Sequence, residues 1–181
     1  DTIVTLAATQ TLTNKTLTDS VHNAGAGTET FKPSGTINAD TTAGATTAVI
    51  TEETLITFTL PANSLDANGK GVRIRVAGST AANTNTKTIR LYFGTTVLIS
   101  NDITTTPNNF GWEFEATVIR TAATTQKTVS RGTVATANQT TTYQGSGQTL
   151  TSAVIIKVTG QNGTASADDI TAQFLHVEFL N

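Results

Sequence analysis

Cysteine and methionine are both absent from the 181 residues, and the chain holds only one tryptophan, two tyrosines and three prolines. Without cysteine, disulfides and thiolate chemistry are excluded, so stability must come from core burial, backbone ladders and subunit contacts. Charge is also scarce: charged residues make up 13% of the chain, against roughly a quarter in ordinary globular proteins. The formal net charge is −2 and the Lys and Arg residues are scattered singly, so no basic field exists to draw in a phosphate backbone, and nucleic acid is not expected as a partner. Long apolar runs are missing too. Val97 to Ile99 and Val154 to Ile156 are among the longest, far short of the roughly 20 residues a membrane-spanning helix needs, so no membrane role is expected. A basic start followed by an apolar stretch is lacking, so no secretory signal is expected within the chain, and the start at Asp1 without a methionine reads as processing or a fragment.

What fills the space is threonine, about 40 residues of it. Branching at Cβ restricts χ1 and favours strands, and the hydroxyl can bond across a strand pair or cap a turn. The length suits one domain plus an extension.

Residues 1–47 lack a sustained hydrophobic period and are punctuated by Gly25, Gly27, Pro33, Gly35 and Gly44. Their sparse apolar residues cannot offset a backbone ordering cost of about 1–2 kcal/mol per residue, so this segment reads as an extended arm that a partner orders. Leu12 and Leu17 lie five positions apart, which suits neither one strand face nor a helical stripe. An extended, kinked segment would place the two leucines in separate pockets, with Asn14 and the threonine hydroxyls pairing with a neighbour's backbone. A solvated linker is the alternative.

From residue 48 the pattern becomes that of consecutive strands. Val49 to Leu60 reads as the first, ending at Pro61, which cannot donate to a ladder. Asp66, Asn68 and Gly69 supply turn chemistry before Val72, Ile74 and Val76, which alternate with Arg73 and Arg75. Ile89, Leu91 and Phe93 alternate in the same way, and Trp112, Phe114, Ala116 and Val118 alternate with Glu113, Glu115 and Thr117, placing Trp112 on the core face. Short strands follow at residues 128–135, 140–143 and 153–158. In the last run, Ile170 to Leu180, both parities are apolar, which predicts burial on two faces, the second against a neighbouring subunit. Phe174, His176 and Leu180 are the interface residues this implies. About eight strands with no helix predict an all-β jelly-roll β-sandwich over residues 48–181, with an immunoglobulin-like sandwich as the alternative.

Ala8 to Thr18, with its core Thr-Leu-Thr-Asn-Lys-Thr-Leu-Thr, resembles a short element common in tail-fibre and other appendage proteins of tailed bacteriophages. Leu60 to Gly69, Val72 to Arg75 and Lys87 to Gly94 look like the jelly-roll domain of phage virion proteins. The resemblance implies that Leu12, Asn14, Lys15 and Leu17 belong to an arm that anchors the chain to other capsid or fibre proteins of the virion, while the β-domain projects from the particle surface as a homotrimer. It leaves a host-contacting fibre tip and a capsid decoration protein both open. A bacterial adhesin or carbohydrate-binding module is a reading of another class.

Candidate chemistry is sparse. His22 and His176 have no second histidine or cysteine at metal-ligand spacing. Gly145-Ser146-Gly147 reads as a turn, not a nucleophile elbow. Glu113 and Glu115 share a strand face and could form the acid/base pair of a glycosidase, though same-face carboxylates are commonly just solvated, with Arg90 or Arg120 as neighbours. Asp168 and Asp169 lack the alternation of an EF-hand loop and read as a turn. Phe110, Tyr92 and Tyr143 are the aromatics expected at the surface, where they could stack on a host-surface glycan or serve a core or interface role. No catalytic residue, cofactor or metal is assigned, and the chain is not expected to be an enzyme.

Overall fold

Alternating branched apolar and polar residues turn every second side chain toward a shared interior, and here two sheets supply that interior. The structure is a computed structural model that describes residues 35–103, 110–134 and 138–181. Leu12, Asn14, Lys15, Leu17 and His22 lie outside the described residues. Among those described, the strands are β1 (Gly35–Asp40), β2 (Gly44–Ala45), β3 (Glu53–Leu60), β4 (Gly71–Thr80), β5 (Lys87–Phe93), β6 (Thr96–Ile103), β7 (Gly111–Ala122), β8 (Thr125–Val134), β9 (Asn138–Ser146), β10 (Val154–Asn162) and β11 (Ile170–Phe179).

One sheet runs β1-β11-β4-β7-β8-β9, with β2 also on β11, and the other runs β3-β10-β5-β6. Every pairing is antiparallel. The first strand pairs with the last, β3 with β10, β4 with β7 and β5 with β6. This is a long hairpin rolled into two sheets, the jelly roll expected from the sequence. Eight strands make the roll; β2 and the β8–β9 hairpin add to the larger sheet.

The core lies between the sheets. Val72, Ile74, Val76, Phe114 and Val118 of the larger sheet meet Leu91, Phe93, Ile156 and Val158 of the smaller in one buried cluster. Trp112 is on the core face, as its alternation requires, with its ring centroid 5.4 Å from that of Phe114 and its indole N–H donating to the Ser79 carbonyl at 3.3 Å.

Three local features depart from the sequence expectation. Val49 and Ile50 are exposed and precede the strand, which begins only at Glu53. The Glu53 carboxylate accepts from the Thr47 backbone N–H at 2.8 Å and hydroxyl at 2.7 Å, making a turn of the intervening residues. Residues 35–47, grouped by sequence with the arm, supply β1 and β2 to the edge of β11. An edge strand needs little apolar content because it gains ladder bonds, and here Ile37 packs on the core while Asn38 Nδ2 donates to the Leu175 carbonyl at 2.9 Å. Finally, β11 contains a β-bulge between Ala172 and Phe174. Ile170 and Ala172 are buried before it, Leu175 and Val177 after it. A bulge inserts one residue and switches the inward parity. The two apolar parities of this strand therefore have a cause within the chain and do not require a neighbouring subunit.

Candidate functional site

The outward side of the larger sheet gathers most of the polar residues that the alternation pushes away from the core. Cross-strand register places His176, Arg75, Glu115 and Arg131 in one row across β11, β4, β7 and β8. The next row holds Glu178, Arg73, Thr117, Val129 and Tyr143. Charges of opposite sign meet along these rows and, for Arg75 and Glu113, diagonally between neighbouring rows. Arg73 Nη1 lies 3.0 Å from Glu178 Oε1, Arg75 Nη2 2.5 Å from Glu113 Oε1, and Arg131 Nη2 3.1 Å from Glu115 Oε2. These side chains are partly exposed, so each pair contributes at most about 1 kcal/mol and serves more to fix side-chain positions than to hold the fold. The hydrogen bond and the charge of Glu113 raise the pKa of Arg75 above its ordinary value, keeping it a fixed positive centre.

Two hollows flank the Arg75–Glu113 pair. One, of about 280 Å³, is lined by Ala39, Asp40, Thr41, Arg75, Phe174 and His176. The His176 ring nitrogen Nε2 and the Thr36 hydroxyl share a hydrogen bond of 2.9 Å, which ties the edge strand β1 to this wall. The other, of about 390 Å³, is lined by Ala77, Gly78, Gly111, Trp112, Glu113 and Thr133. Farther along the sheet Tyr143 is 68% exposed, beside Val129 at 44%. The face thus offers apolar walls, an exposed aromatic ring and charged groups, a combination that suits reversible binding of a polar ligand.

The residues singled out by sequence are only partly brought together. Phe174 and His176 share the first hollow, but Leu180 does not join them. Its backbone N–H donates to the Gly71 carbonyl at 3.0 Å and its side chain lies near Gly71. The three surface aromatics make no common platform. Tyr143 stands on the larger sheet; Phe110 is half-buried before β7, its carbonyl accepting from Thr80 N–H at 2.9 Å. Tyr92 is half-buried in the smaller sheet. Its hydroxyl donates to Glu52 at 2.7 Å and the Lys157 ammonium sits 4.9 Å from its ring centroid. Glu113 and Glu115 do share a face, but their neighbours are Arg75 and Arg131. Arg90 instead pairs with Glu52 at 3.3 Å, and Arg120 donates to the Leu65 carbonyl. With both carboxylates engaged by arginines, the pair is not arranged as a free acid and base across a groove.

Sequence reading missed the central place of Arg75, although its two-residue alternation with Arg73 was the available signal. It also missed a buried polar group formed by Asn83, Asn85, Lys87 and Asp169. The signal there was Asn-x-Asn-x-Lys leading into an apolar strand. Asp169 is fully buried, not part of an open turn, and among the described residues no cluster of His, Asp or Glu is disposed to hold a metal ion.

No family model matches the chain, and no curated protein matches it. Among solved structures, the CBM2 module of the evolved Dit of Lactobacillus casei BL23 phage J-1 is similar over 67% of this chain and 67% of that one, with 9% sequence identity and a TM-score of 0.31. A likeness this slight carries no argument about function.

Proposed function

We propose that this chain is a non-enzymatic structural protein of a tailed-bacteriophage virion, a homotrimeric fibre or knob anchored by its N-terminal segment, with the jelly roll projecting from the particle. The observation that carries the reading is the order of parts: the Thr11 to Thr18 element, which resembles phage appendage proteins, stands ahead of a jelly roll whose first strand begins at Gly35. The outer face of the larger sheet is the contact surface in this reading, and a host-surface glycan is its ligand. Apolar walls for a sugar ring beside Asp40, Arg75 and His176 as hydrogen-bonding groups favour that ligand.

An antibody against the jelly roll tests the placement. It labels the surface of intact particles if the proposal holds, and labels only lysed host debris if it does not. Adsorption then separates the two duties: purified protein that competes with particles for host cells supports a fibre tip. Particles that adsorb normally but lose shell stability when the gene is deleted support capsid decoration. Sedimentation tests the trimer, and a monomer at micromolar concentration would remove it.

A further inference from the structure

The outward side of the smaller sheet exposes large apolar side chains while its polar groups bond to one another. Ile155 is 50% exposed and Val97 38%, and Ile50, at one end of the sheet, is 59% exposed. Cross-strand register places Thr57, Lys157, Tyr92 and Val97 in one row across β3, β10, β5 and β6, with Thr59 and Ile155 in the row beside it. The Ile50 carbonyl accepts from Gln161 Nε2 at 3.2 Å, which holds that residue against the same side. Between these apolar groups the Tyr92 and Thr159 hydroxyls both donate to Glu52 Oε1, at 2.7 and 2.5 Å. Arg90 Nη1 lies 3.3 Å from Glu52 Oε2 and donates to Gln161 Oε1 at 3.1 Å. Thr88 donates to Asp102 at 2.8 Å, and the Lys157 ammonium lies over the Tyr92 ring.

We infer that this face is the surface through which copies of the chain pack on one another. The inference rests on the self-association in the proposed function and names the face that makes it. A sugar needs protein groups with hydrogen bonds still to give. Here the hydroxyls, carboxylates and guanidinium are already paired, so a dry partner can cover them and leave few polar groups unsatisfied. What stays open is apolar and aromatic, the composition of an interface core. Charge favours a second copy over a charged partner: Arg90 and Lys157 are balanced by Glu52 and Asp102, so the face meets its own copy without net repulsion. The larger sheet differs, since its Arg75 and Arg131 side chains stand farther into solvent than Arg90 does. Size is sufficient as well. The four strands run for 7 to 9 residues. At about 4.8 Å between strands and about 3.4 Å per residue they span roughly 500 Å² in projection. Two such faces together reach the roughly 1,000 Å² that a specific interface needs.

The test is sedimentation equilibrium of the full chain and of its Ile155→Lys variant, with the fluorescence of buried Trp112 reporting that each is folded. Ile155→Lys sets a second ammonium beside Lys157 and leaves the core untouched. The expected result is an oligomeric parent and a folded variant whose dissociation constant rises on the order of a hundredfold or more. A parent that is monomeric at micromolar concentration overturns both the self-association and this face. An oligomeric parent with an equally oligomeric, folded variant overturns the face alone and leaves the trimer standing. A variant that keeps the oligomer but no longer binds host cells assigns the face to a host ligand, which also overturns the inference. If Ile155→Lys does not fold, Val97→Lys at the edge of the same row decides between these outcomes.

Discussion

Replacing Gly78 by alanine probes the packing between β4, β7 and β11 with a single methyl group. A Cβ at this position would stand 2.5 Å from Trp112 Cζ2 and well inside contact distance of the Thr171 carbonyl oxygen. Neither obstacle can retreat cheaply. The indole is 2% exposed and tilted against Phe114, and Thr171 lies in the ladder just ahead of the β11 bulge. Overpacking of this kind costs about 3 kcal/mol at the upper end of its usual range. Alanine recovers about 0.4–1 kcal/mol by restricting the unfolded chain, leaving a net loss of about 2 kcal/mol or more. For a domain of this size that corresponds to a fall in Tm on the order of 4–8 °C. Gly111→Ala is the matched control, because a Cβ there meets nothing closer than the Gly78 carbonyl oxygen at 3.9 Å. Urea and thermal unfolding followed by the fluorescence of the single tryptophan measure both variants. Gly78→Ala unfolding within about 0.5 kcal/mol of the parent would refute the packing argument.

Trp112→Ala should cost about 3–5 kcal/mol, read by circular dichroism in urea, because it empties a buried aromatic site and removes the indole bond to the Ser79 carbonyl. Glu52 contributes a pH-dependent element: burial raises its pKa, but hydrogen bonds from Thr159 and Tyr92 and the charges of Arg90 and Lys157 outweigh that and leave it lowered. Its stabilisation is therefore complete above the ordinary carboxylate range and lost as pH falls through the depressed folded value. The stability gap between the parent and Glu52→Gln should be widest at about pH 7 and close toward about pH 3; a gap that stays constant with pH would contradict it. If the outward face binds a host-surface glycan as proposed, Phe174→Ala should weaken binding of purified protein to host cells on the order of tenfold or more, with Tm nearly unchanged, since that side chain lines the hollow on that face.

Much of the fold was legible because the alternations are strict. Val72, Ile74 and Val76 against Arg73 and Arg75, or Trp112, Phe114 and Ala116 against Glu113 and Glu115, allow one buried face. The Asn68-Gly69 turn was equally readable, and Gly69 adopts the positive φ of 87° that such a turn uses. β1 was not legible, because Ile37 is its only large apolar residue and its stability comes from hydrogen bonds to a strand more than 130 positions away. The bulge in β11 hid for a different reason: both parities look apolar whether a strand is sandwiched or shifts register, and only pairing decides. At the site, sequence identified Phe174 and His176 but not their junction with Arg75 and Asp40, which requires β1, β4 and β11 to be assembled. The Asn83 to Asp169 bond spans 86 positions, so the Asn-x-Asn-x-Lys run by itself does not show its acidic partner.

The central claim about the fold is that a self-standing jelly roll begins at Gly35. Comparing the Tm of the full chain with those of chains starting at Gly35 and at Ala48 tests it most directly. The account predicts that the chain starting at Gly35 melts with the full chain. It also predicts that the chain starting at Ala48 melts several degrees lower, because it loses β1, β2 and the bonds from Asn38 to Leu175 and from Thr46 to Ile170. A chain starting at Gly35 that fails to fold, or one starting at Ala48 as stable as the full chain, would contradict it.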